Sequence, residues 1–211
     1  MISTTKNAFT LTELLVALAV VIVLSSLLLG GAMKALDSAR QAGCANHLRT
    51  FGNAVLTHAV DHDNTFMAPG YIKGDLPSYW NYRLHNEGYI SFPAQRGLYC
   101  PALYQSDYRV AAFTEQQWIR AGHLNSVGYS YNLWLAGKRM ASVPELSKTM
   151  FFIETHMGNV CVYAKSKPES YSFRHASKLH LLYCDGSLAM WEQGTPFPPI
   201  DNTFWAYPPK P

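Results

Sequence analysis

The chain has 211 residues and a formal net charge of +3, with 15% charged and 13% aromatic residues. That length allows one globular domain of roughly 150 residues with an N-terminal appendage, and the aromatic content excludes a disordered chain. No Lys/Arg cluster is present, so nucleic acid has no electrostatic footprint and is not expected as a partner.

Residues 1–8 form a short leader with Lys6 and no acid. Residues 14–33 carry no charge, and Glu13 is the single charged residue between Asn7 and Met33. Twenty such residues at 1.5 Å each make a helix about 30 Å long, the thickness of a bilayer core. A secretory signal core is shorter, which favours retention in the membrane. The basic leader is expected to stay cytoplasmic and send the C-terminal bulk across. Lys34 and Arg40 on the far side, with Asp37 between them, oppose this orientation.

The helix is expected to continue over residues 34–60. Leu48, Phe51, Val55 and Ala59 recur at spacings of three and four, one apolar face of an amphipathic helix. Arg40, His47, Arg49 and Asn53 line the opposite face, and Gly30-Gly31 is a weak point for a bend.

Residues 61–74 read as a loop. Ser78 is placed to cap a short helix to Asn86, with Gly88 just past its end. "ISFPAQRGLYCP" reads as a loop limited by its prolines. Thr114 and Gln117 make a capping-box pattern for a helix to Ala121, closed by Gly122. Residues 150–155, 160–164, 179–184 and 188–191 read as strands, the last two joined by the hairpin turn "CDGS". The tail from Gly194 is Pro-rich and extended. Segregated helix and strands predict an α+β fold, a long N-terminal helix (transmembrane, then amphipathic) packed on a small antiparallel sheet of about four strands. The expected segments are a leader (1–8), a membrane helix (9–33), its amphipathic continuation (34–60), an extracytoplasmic α+β domain (61–193) and the tail (194–211).

Cys44, Cys100, Cys161 and Cys184 then lie in a compartment that permits disulfides. Three pairings are possible. Cys44–Cys100 with Cys161–Cys184 is favoured, and four unpaired, partly buried thiols are the alternative.

Lys6, Ala8 and "FTLTE" (Phe9 to Glu13), leading into the apolar run, resemble the N-terminus of type IV pilins and type II secretion pseudopilins. The resemblance implies cleavage between Ala8 and Phe9 by a prepilin peptidase that also methylates the new amino terminus at Phe9. The family usually has Gly where this chain has Ala8, which implies slower processing. Glu13 would be the fifth residue of the mature chain and would pair with the amino terminus of a neighbouring subunit during assembly. A carboxylate in hydrocarbon is costly, and is normally paired or functional. Without the resemblance, Glu13 is an acid tolerated at a helix N-terminus, where the dipole favours it.

Near the other end, His175, nine intervening residues and Asp185-Gly186 resemble the His-x9-Asp-Gly signature of pilin-like proteins of planctomycete, verrucomicrobial and lentisphaeral bacteria. "CANHLRTFGNA", "DHDN", "YCP" and "GYSYN" also follow that group in order and spacing. Together these imply a pilin-like fold, other pilin or pseudopilin subunits as partners, and a single-pass protein of the bacterial inner membrane whose C-terminal domain is periplasmic or extracellular. The alternative is a membrane-tethered extracytoplasmic binding domain, for example for surface polysaccharide, that does not polymerise.

No enzyme activity and no cofactor are expected. His175 and Asp185 lack a third group to complete a catalytic set, and a hairpin Asp-Gly is explained by its turn. His58 and His62 have a zinc-compatible spacing, but no third ligand is evident. "DHDN" offers oxygens for calcium, yet lacks the Gly and Glu of a calcium loop. No metal is therefore expected. The aromatic groups "SYWNY" and "FWAY" read as packing rather than as sugar-stacking platforms.

Overall fold

The apolar N-terminal run is helical without interruption. In the structure, a computed structural model that describes residues 10–68, 80–91, 100–102, 128–155, 161–162, 171–196 and 204, helix α1 covers Leu11–Asp61. Gly30 and Gly31 lie within it, so the expected weak point is not a break. The chain divides into two compact units inside this helix, the first ending at Ala39 and the second beginning at Arg40. The side chains of residues 10–39 are exposed almost throughout. By length and composition this helix is able to cross a membrane.

In the second unit α1 becomes one-sided. Leu48, Phe51, Val55 and Ala59 are buried while Arg49 and Asn53 are exposed, as the spacing predicts. Arg40 and His47, expected on the exposed face, are instead half-buried, His47 Nδ1 lying 3.2 Å from the Tyr129 hydroxyl. The helix ends where Asp63 and Asn64 take φ of 53° and 54°, a left-handed conformation that Asp and Asn accept more readily than most residues. The "DHDN" stretch is thus a helix-stop turn. The chain then pairs with a later loop, Phe66 N–H donating to the Lys138 carbonyl and Met140 N–H to that of Asn64.

Helix α2 (Trp80–Asn86) starts inside the segment expected from Ser78, and Gly88 follows at φ 83°. Ser78, residues 69–74 and 92–99 of the two expected loops, the helix expected from Thr114 to Ala121, and residues 197–203 and 205–211 of the tail lie outside the described residues. Five strands form the sheet: β1 (Tyr129–Asn132), β2 (Met150–Glu154), β3 (Cys161–Val162), β4 (Lys178–Tyr183) and β5 (Leu188–Glu192), in the order β3-β1-β2-β4-β5. The β1–β2, β2–β4 and β4–β5 pairs are antiparallel, whereas β3 runs parallel to β1. The α+β layout stands. The expected number of antiparallel strands, about four, also stands, but one of them is β1, whose "YSYN" lacks the apolar alternation of a half-buried strand, and the strand expected over residues 160–164 is the short parallel β3.

A bulge lies between Met150 and Phe152. It lets Phe151 and Phe152 join the same core cluster as Leu48, Phe51 and Val55 of α1, while Met150 and Ile153 join Leu179 and Leu181 in a second cluster. Trp80 of "SYWNY" lies edge-on to Phe51 and Phe152, with ring centroids 4.7 and 4.9 Å away. Phe204 of "FWAY" is buried beside Trp191. Both described aromatics pack in the core, as expected.

Gly52 marks the closest approach of α1 to the sheet. A Cβ there would stand 2.5 Å from Leu182 Cδ2 and 3.6 Å from the Phe151 ring. Gly52→Ala is therefore expected to destabilise the second unit. Overpacking costs about 1–3 kcal/mol, which outweighs the roughly 1 kcal/mol gained by removing a helical glycine. A rise in the denaturation midpoint of the variant would show that Leu182 yields without cost.

Candidate functional site

The polar groups of the second unit converge on a carboxylate that the sequence hides in an apolar strand. Glu154 ends β2 and is fully buried. Its Oε1 lies 3.0 Å from His175 Nε2 and 3.2 Å from His180 Nδ1, and its Oε2 accepts the His180 backbone N–H at 2.7 Å. Burial alone would raise its pKa, but hydrogen bonds and charge from His175 and His180 outweigh that and hold it below the ordinary carboxylate value.

Two local features place the imidazoles. His180 sits on β4 with the parity of Leu182, facing the core cluster that packs on α1. His175 precedes β4 in a tight turn, in which His175 and Lys178 exchange backbone hydrogen bonds while Ala176 and Ser177 take φ of 50° and 64°. Neither is a residue that adopts the left-handed region readily, so the turn is strained and is held by what surrounds it.

Cys44 of α1 and Cys100 are joined as a disulfide beside this cluster, with Cys100 Sγ 3.8 Å from Glu154 Oε1. Donor atoms of Cys44, Cys100, Glu154 and His175 lie within 4.8 Å of one another. With the two sulfurs bonded to each other no thiolate is offered, so the set is a disulfide packed on a buried carboxylate–imidazole hydrogen bond. The bridge closes a sequence separation of 56 residues. On the chain-entropy account it contributes about 4 kcal/mol, so Cys44→Ser is expected to lower stability by about that amount. Equal unfolding midpoints with and without a thiol reductant would contradict it.

The second expected bridge is not formed. Cys184 is a buried free thiol that points toward the Met150 carbonyl. Its would-be partner Cys161, whose side chain lies outside the described residues, is on β3, and β1 and β2 intervene between β3 and β4. Three strand spacings come to about 14 Å, beyond the Cα separation of roughly 7 Å that a disulfide spans. Burial, reinforced by the Asp185 charge, pushes the Cys184 thiol well up, so it is a poor nucleophile.

His175 and Asp185 are not brought together. They flank the six residues of β4, a span of about 20 Å. Asp185 is exposed, and its Oδ1 accepts from the Ser187 hydroxyl at 2.6 Å and from the Ser187 amide at 2.9 Å. The Ser187 hydroxyl chiefly holds the Asp185 carboxyl below its usual range. Gly186, at φ 85°, completes the turn between β4 and β5. The His-x9-Asp-Gly element thus contains two separate devices, a histidine for the Glu154 cluster and a hairpin turn.

At the other end of the chain Glu13 is engaged locally. Thr10 N–H and Thr10 Oγ1 donate to Glu13 Oε2 at 2.9 and 2.8 Å, and Thr10 Oγ1 lies 3.3 Å from the Glu13 amide. Thr10 and Glu13 form a reciprocal capping box at the start of α1. Ala8 and Phe9 lie outside the described residues.

The chain matches no family profile, no curated protein and no solved structure.

Proposed function

We propose that this chain is a prepilin-like precursor, cleaved before Phe9 and N-methylated, and then a structural subunit of a type IV pilus or type II secretion pseudopilus. The observation that carries it is the acid at the head of a span-length apolar helix, within the sequence "FTLTE". The exposed apolar residues 14–33 are suited to packing against lipid before assembly and against like helices after it. The second unit supplies a folded head, and its buried Glu154 cluster is structural on this account, with no catalytic role.

The capping box favours a second reading. Because Glu13 already satisfies the helix start through Thr10, a tethered, non-polymerising binding domain would also keep an acid there. Expression beside the cognate assembly machinery separates the two. A subunit is recovered from sheared filaments or as cross-linked envelope oligomers, whereas a tethered domain is recovered only as a membrane monomer.

A further inference from the structure

His58 lies in the last turn of α1 and His62 just past its end, four residues on, and the chain just past α2 brings Glu87 to them. His58 Nε2 lies 3.0 Å from Glu87 Oε2, and donor atoms of all three residues lie within 4.8 Å of one another. The third ligand that sequence spacing lacks is therefore supplied by the fold.

Two features distinguish this group from ordinary packing. His58 is 2% exposed, yet neither of its ring nitrogens makes an aligned hydrogen bond among the described residues. The Glu87 oxygen is close but off the ring N–H direction, and a buried polar atom left so is costly. The second feature is the tautomer of His62. Its Nδ1 lies 2.8 Å from the His58 carbonyl oxygen, which can only accept. With the proton on Nδ1, the lone pair is left on Nε2.

The surroundings supply matching electrostatics. Arg83 Nε donates to Glu87 Oε1 at 2.8 Å, which leaves Oε2 facing His58. The Tyr89 ring covers His58 at 5.2 Å while its hydroxyl donates to Asp61 at 2.9 Å, adding an acid to the rim.

We propose that His58, His62 and Glu87 form a divalent-metal site, with Zn²⁺ the best match, that fastens α2 to the end of α1. Two imidazoles and one carboxylate are a borderline donor set suited to zinc, and the exposure of His62 and Glu87 leaves a fourth position to water. The two rings are stacked at 4.0 Å and nearly parallel. Chelation requires the exposed His62 ring to turn so that the donors close to the roughly 3.3 Å edge of a tetrahedral zinc site.

The test is a zinc titration of the tag-free full chain in detergent, against a competing chromogenic chelator near neutral pH. One zinc per chain is expected. His62→Gln and Glu87→Gln, both at exposed positions, are each expected to weaken binding roughly 100-fold, with an unchanged near-UV circular dichroism spectrum. Asp63→Asn is expected to leave affinity unchanged. The Co²⁺-loaded chain should lack a thiolate-to-metal charge-transfer band, which excludes the cysteines as ligands. Absence of binding, unchanged affinity in His62→Gln and Glu87→Gln, or a thiolate band would each overturn the site.

Discussion

Glu13→Gln is expected to leave the chain inserted in the membrane and to reduce its recovery in filaments to background. The two jobs open to Glu13 make different demands. Capping requires an acceptor that reaches back to Thr10, and Gln serves in a capping box as Glu does. Pairing with the amino terminus of a neighbour requires the negative charge, and removing one partner leaves the other charge desolvated and uncompensated. Glu13→Gln therefore keeps the start of the helix and removes only the ion pair. Glu13→Val removes both and makes the apolar segment more hydrophobic, so its insertion is expected to be at least as efficient. If Glu13→Gln subunits enter filaments at the wild-type level, Glu13 is a cap and its charge has no part in assembly.

Glu154→Ala is expected to have the largest effect on stability, a loss of about 3–5 kcal/mol, as for breaking a buried ion pair by removing one partner. That is a large fraction of the roughly 5–15 kcal/mol that holds a domain of this size. The substitution would strand His175 and His180, both buried, and open a void beneath the disulfide. Glu154→Gln, which keeps shape and one acceptor, is expected to cost less. The lowered Glu154 pKa also fixes the sign of the acid dependence. A carboxyl held below its ordinary value contributes stability that is complete above that ordinary value. The contribution is lost as pH falls through the lower folded-state value. Denaturant midpoints of the full chain in mild detergent should therefore drop in that acid range for wild type, and less for Glu154→Ala. Equal midpoints for wild type and Glu154→Ala would contradict a supporting role for the cluster.

What was legible in the sequence followed from local pattern. The apolar run, the 48-51-55-59 face, β2, β4 and the Asp-Gly turn all appear where periodicity and turn chemistry place them. β1 was not legible, because four buried polar and aromatic residues, "YSYN", carry neither alternation nor an apolar run. Glu154 left one usable signal, an acid at the end of the apolar "MFFI", but its partners were set by tertiary structure. The strained 175–178 turn and the β2–β4 pairing bring His175 and His180 to it. Glu87 left no signal at all, since its meeting with His58 depends on where α2 packs. The Cys161–Cys184 expectation failed for the same reason. Strand order is a property of the sheet, and here it keeps β1 and β2 between the two cysteines.

The mass of the mature N-terminal peptide, taken from cells that carry the native processing peptidase, tests the central claim most directly. A peptide that begins at Phe9 and carries one added methyl group is the predicted result. A peptide that still begins at Met1 would contradict it and make the chain a signal-anchored domain, and a start beyond Gly31 would show that the apolar run is a removed signal.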